Sequence, residues 1–209
     1  LTIAALLCTL NTACTTLPAQ QDSQLADLIT CDQPDCFAKA KQVTLTYQKT
    51  DGLHVRSAPF IAFNLVHPAA KLMTSPSSLI IVDQHQNTFV TFQTTLENLG
   101  LEGIDNIDMY QLMRWYFLNS YAELEQLALP TEVLVSARSF KLSNNLSKAE
   151  ELHYFEQEDL LIFSFYEPQE SMYKVFIVHK KQPNTMAYID IKGISKPDFS
   201  RFISSIHQF

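Results

Sequence analysis

Five extended, apolar-rich segments crowd the last third of the chain, and the short turns between them leave little choice of topology. Val133–Leu142, Glu151–Phe155, Leu160–Tyr166, Tyr173–His179 and Thr185–Ile191 are separated by Asn144-Asn145, Glu158-Asp159, Pro168 and Gln182-Pro183-Asn184. Such residues favour tight reversals, so the pattern predicts an antiparallel meander. The stretch that follows, Ser195 to His207, opens with a capping Ser, carries Pro197 in its first turn, and places Phe199, Phe202, Ile203 and Ile206 at helical spacing. It is expected to form a C-terminal helix that packs on the sheet. The class is therefore α+β, an antiparallel sheet with helices over one face.

The preceding residues fit the same class. Gln24–Lys41 reads as one or two short helices. Val43–Gln48 and Val55–Val66 read as a hairpin turning at Asp51-Gly52, His67 to Pro76 as a loop, and Ser78–Val82 as a short buried strand. Phe89, Phe92, Leu96 and Leu99 recur at helical spacing before Gly100, while Thr88–Phe92 also fits a strand. Ile107–Leu127 is expected to be one helix closed by Pro130.

Composition narrows function more than it identifies it. The 209 residues carry a net charge of −7, and no Lys or Arg cluster exceeds a pair, which argues against a nucleic-acid surface. With only four Gly, at 52, 100, 103 and 193, neither a P-loop nor a dinucleotide-binding fingerprint is possible. No cofactor is expected. The hydrophobic content of 46% is ample for one core, and 25–209 is expected to be a single domain.

The chain begins with an uncharged apolar run, Leu1 to Leu10, that ends at Asn11-Thr12-Ala13-Cys14 and then turns polar. About ten apolar residues suit the core of a secretory signal and fall far short of the roughly twenty a membrane span needs. The residues before Cys14 resemble the lipobox of bacterial lipoproteins, in which a small residue precedes a Cys that is lipidated and becomes the new N-terminus. Ala13 and Thr12 suit that pattern; Leu10 lies one residue further from Cys14 than the family's usual Leu, with Asn11 in its place. The resemblance implies a signal segment over 1–13, lipidation at Cys14, a tether over 14–24, and a location on the periplasmic side of the bacterial envelope. Ordinary signal cleavage after Ala13 or Ala19, giving a soluble exported protein, and a buried N-terminal helix are the alternatives.

Cysteine usage agrees with export. Cys31-Asp-Gln-Pro-Asp-Cys36 can turn back on itself within disulfide reach, and a bridge would pin the start of the helix expected to follow. A zinc site there would need two more ligands, and none lies nearby in sequence.

No catalytic constellation stands out. The six His are scattered, without a pair at metal-ligand spacing on a helix, so no metal is expected. Asp83 and His85, just past a buried strand, are the one place where an acid and a base emerge together, and they are the candidate catalytic pair. Trp115, Tyr116, Phe117 and Tyr121 cannot all lie on one helical face, which makes them candidate binding residues, against the alternative of a helix buried on two sides. The leading expectation is a lipid-anchored envelope protein that binds another envelope protein or assists an assembly. A periplasmic hydrolase-like enzyme assembled from dispersed residues, and a carrier of an apolar ligand, are the alternatives.

Overall fold

The computed structural model describes residues 32–47 and 52–208. The signal segment, the tether, Cys14 and Cys31 lie outside the described residues, as do residues 24–31 of Gln24–Lys41; its described part, 32–41, holds a 3-10 turn at Pro34–Phe37 and the start of a strand in place of the expected α-helix. Among the described residues the strands are β1 (Lys41–Gln42), β2 (His54–Ala58), β3 (Ile61–Asn64), β4 (Ala69–Thr74), β5 (Ser78–Asp83), β6 (Thr88–Thr95), β7 (Glu150–Gln157), β8 (Leu160–Glu167), β9 (Met172–His179) and β10 (Thr185–Lys192). The helices are α1 (Met109–Leu118), α2 (Tyr121–Glu125), α3 (Thr131–Ser143) and α4 (Lys196–Ser204).

Eight strands form one sheet in the order β1-β7-β8-β9-β10-β6-β5-β4, antiparallel throughout except for the two-residue parallel pairing of β1 with β7. The expected meander is present as β7 to β10. It is extended through a long-range pairing of β10 with β6, in register from Thr185 opposite Thr95 to Lys192 opposite Thr88. The α+β class and the C-terminal helix are as expected.

Strand alternation decides what each face must bury. Ile162 and Phe163 are neighbours and so point to opposite faces. Ile162 joins Val175, Ile177, Ile189 and Phe89 in a core closed by α4 and by the β2–β3 hairpin. There Phe199 stacks on Tyr173 with ring centres 3.8 Å apart, and Phe202 lies 5.1 Å from Phe63 and 5.4 Å from Phe89. Phe163 instead stacks on Phe117 of α1 at 4.3 Å, with Phe140 of α3 and Phe176 of β9 in the same cluster. The helices thus divide between the two faces, α4 on one and α1 with α3 on the other. Beyond α4 the chain returns to the hairpin: Ala62 and His207 exchange backbone hydrogen bonds of 2.8 and 2.9 Å.

Several local expectations are corrected. Val133–Leu142 is not a strand but most of α3. Its buried side chains, Val133, Leu134, Ala137 and Lys141, follow helical spacing, and tertiary burial overrides the β-branched residues' local preference. The stretch Val55–Val66 splits at Pro59-Phe60 into β2 and β3, which pair with each other; residues 43–47 form no strand, and 48–51 lie outside the described residues. Thr88–Thr95 is a strand, and a short 3-10 turn ends it at Gly100, whose φ of 69° suits a residue without a side chain. The Ile107–Leu127 helix is broken at Asn119-Ser120. Ser120 caps α2 in a reciprocal pair with Glu123, whose Oε2 accepts the Ser120 N–H at 2.7 Å.

A lysine of α3 is placed inside. Lys141 has no exposed surface, and its Nζ donates to the Ala38 carbonyl at 3.1 Å, tying α3 to the turn that precedes β1. Burial, with repulsion from Lys39, lowers its ammonium from the usual 10.5 to about 8, against the attraction of Glu123 and Asp35. Between those two values the unfolded chain holds a proton that the folded chain has released, so this group's contribution to stability rises as pH rises. Lys141→Met is expected to raise the unfolding free energy at pH 7 by about 1–2 kcal/mol. That advantage over wild type should shrink as pH climbs from 8 towards 10, as read by urea unfolding across that range.

Candidate functional site

Asp83 and His85 have separate roles. Asp83 is 1% exposed at the end of β5, where its Oδ1 accepts the backbone N–H groups of His85 and Asn87 at 2.8 and 2.9 Å and its Oδ2 accepts the Asn87 side-chain amide at 2.8 Å. Its lone pairs are spent on holding the β5–β6 turn. His85 is exposed and stacks on His67 with ring centres 3.8 Å apart. The Nε2 of His67 lies 3.3 Å from Oδ2 of Asp198, which also accepts from the Ser195 hydroxyl at 2.8 Å, while Arg201 donates to the other oxygen at 2.6 Å. Burial alone would raise Asp198; the bonds from Ser195 and His67 and the charge of Arg201 outweigh it and hold the carboxyl below its usual range. The group clamps the start of α4 to the β5–β6 turn.

The aromatic residues of α1 and α2 are mostly interior. Tyr116, Phe117 and Tyr121 are buried, and Trp115 is half-buried. The Tyr116 hydroxyl donates to Ser136 on α3 at 2.6 Å. Burial raises Tyr116 despite that bond, and burial together with Glu125 pushes Tyr121 up to about 12. These rings join helix to sheet and to each other; they do not form a surface patch.

A charged network closes the helix-covered part of the same face. Lys174 of β9 and Glu167 of β8 form an ion pair of 2.5 Å with both side chains nearly inaccessible, and Asn145 donates to Glu167 at 2.9 Å. Burial would raise Glu167, but the bonds from Lys174 and Asn145 lower it. Asp190, opposite Lys174 on β10, is raised by burial and accepts the Tyr188 hydroxyl.

Past this network the face opens. Phe176 and Tyr188 stack at 4.5 Å, and Tyr188 and Phe92 at 5.7 Å, so the aromatic row runs from the core under α1 to Phe92, which is 39% exposed. Ile80 and Val90, paired across β5 and β6, are only half-buried, and Met73 opposite Ile80 is 38% exposed. Leu72, 56% exposed, points to the other face. There it borders a groove of about 700 Å³ shared with Leu53, Val66, Pro68 and Arg201. Among the described residues β4 is the last strand of the sheet and pairs with β5 alone. This exposed strand and the open face beside it form the candidate site, a surface that suits binding. It lies where the sequence reads as a loop, 67–76. The missed signal is the reversal Ser75-Pro-Ser-Ser78, which folds 69–74 back beside the strand already expected at 78–82.

Comparison with protein-family models, curated proteins and solved structures gives no match. No helix among the described residues is long and apolar enough to cross a membrane.

The two roles at the β5–β6 turn separate experimentally. Asp83→Ala leaves three donors without their acceptor and is expected to cost about 3 kcal/mol of unfolding free energy, whereas exposed His85→Ala should change it by less than about 1 kcal/mol. Equal effects in chemical denaturation would contradict the assignment.

Proposed function

We propose that this chain is an exported protein of the bacterial envelope, lipid-anchored at Cys14 on the periplasmic side, that binds another envelope protein or assists an assembly. The observation that carries the binding half is the β4–β6 end of the sheet. It presents Leu72, Met73 and Phe92 to solvent around a strand that, among the described residues, has one free side, and soluble domains usually cover or blunt such edges. The anchoring half rests on the apolar run and the residues before Cys14. A Cys31–Cys36 bridge belongs to the same proposal: Cys36 is fully buried in the turn before β1.

The surface is testable in its native envelope. A photo-crosslinking side chain at position 72 or 92 is expected to give a discrete protein adduct, whereas one at Leu127, which is exposed just past the end of α2, should give none. The uncrosslinked protein should have the mass of a diacylglycerol-modified chain beginning at Cys14. Adducts of equal yield from all three positions, or from none, would remove the binding assignment, and an unmodified N-terminus would remove the anchor.

A further inference from the structure

We infer that β4 receives an extended, acid-bearing segment of a partner protein by strand addition, an inference that rests on the binding reading above. The register of two turns determines which backbone groups are free. The Ser75 N–H donates to the Ser78 carbonyl at 2.8 Å, and the β4–β5 pairing continues from that point without a shift as far as Lys71 opposite Val82. Hydrogen-bonded and non-bonded pairs alternate along antiparallel strands. Met73 and Lys71 therefore spend their N–H and C=O on β5, while Leu72 and Thr74 turn theirs outward. At the next turn the Asp83 N–H donates to the Asn87 carbonyl at 3.0 Å. Counting back, Ile81 and Leu79 bond β6, so β5 is satisfied on both sides. Among the described residues the outward donors and acceptors of β4 have no backbone partner, and they recur every second residue, a spacing that another extended backbone matches.

Side chains and charge narrow the occupant. An added strand would set its alternate side chains beside Leu72 and the groove on one face, and beside Met73 and Ile80 on the other. Of the 22 acidic residues in the chain only Asp83 falls within 52–96, the stretch that supplies β2 to β6, and it is buried in its turn. Arg56 and Lys71 lie in the same stretch, and Lys71 is exposed on β4 itself. The strands β2 to β6 thus contribute no exposed carboxylate while β4 carries an exposed lysine, which favours a segment with Asp or Glu among its apolar residues. A second copy offers no such match. Its β4 has the same lone cation and no acid, so self-pairing would put two like charges on one pair of strands and no opposite one.

The test uses the full chain and three synthetic nine-residue peptides: alternating valine and glutamate, alternating valine and lysine, and the glutamate peptide with alternate backbone nitrogens methylated. The glutamate peptide should bind and slow amide exchange at Leu72 and Thr74. The lysine peptide should bind at least about ten-fold more weakly at low salt, and Lys71→Glu should reverse that preference. The methylated peptide, lacking the donors, should fail. Leu72→Pro removes one outward N–H while leaving the β5 ladder intact, and it should abolish binding. Equal binding of the two charge forms, protection elsewhere, or sedimentation showing a dimer through β4 would overturn the inference. Crosslinks at positions 72 and 92 that persist in Leu72→Pro would overturn strand addition alone and leave the broader binding reading standing.

Discussion

The structure depends on two strands that are buried on both faces. In β8 and β9 only Tyr166 and Met172 escape full burial, so neither face of the sheet centre can be left to water. On one side the cover is α4 and the β2–β3 hairpin; on the other it is α1 and α3, joined to the sheet through Phe117, Phe163 and Phe176. The sheet grows outward from this doubly covered centre, and the cover does not extend as far as the sheet does. The hairpin protects one face of β5 and β6, burying Ile81 and Phe89, while the opposite face loses its helices beyond Tyr188. The open surface at Phe92, Met73 and Leu72 is what remains when eight strands share three layers.

Buried charge follows the same geography. Lys174, Glu167 and Asp190 lie at the limit of the helix layer, where the ion pair and the amide of Asn145 offset part of the cost of taking them out of water. Lys141 is less well compensated, and its lowered ammonium records that cost. Asp83 is the opposite case: three donors converge on one carboxylate, and the return is a fixed turn that aims β6 back along β5.

Local signals in the chain were reliable where a single element explains them. The C-terminal helix has its capping Ser195, its Pro197 and its apolar stripe within thirteen residues, and the strands β8 to β10 are set off by turn residues. Features that depend on distant partners were not legible. Val133 and Leu134 in α3 match a strand pattern until the helix is seen to bury them beside Ala137 and Lys141, and the Trp115–Phe117 run looks surplus until both helices and sheet are in place around it. The pairing of β6 with β10 joins segments about ninety residues apart, and no short-range pattern announces it. Asp83 and His85 leave β5 together, but that strand is not the buried one its sequence suggests, since only Ile81 and Asp83 of it are buried, and proximity in sequence says nothing of the pair's different surroundings. Position 69–74 carried a weaker signal, a short apolar stretch before a Ser-Pro-Ser-Ser reversal, in a region almost without acids.

That β4 is an open edge is the claim on which the functional reading stands, and amide hydrogen exchange of the free protein, resolved by residue, tests it most directly. The register predicts alternation: Lys71 and Met73 protected by β5, Leu72 and Thr74 exchanging at rates near those of an unstructured chain. Protection of all four amides would mean that the edge is already covered, and β4 would then be unavailable to a partner strand.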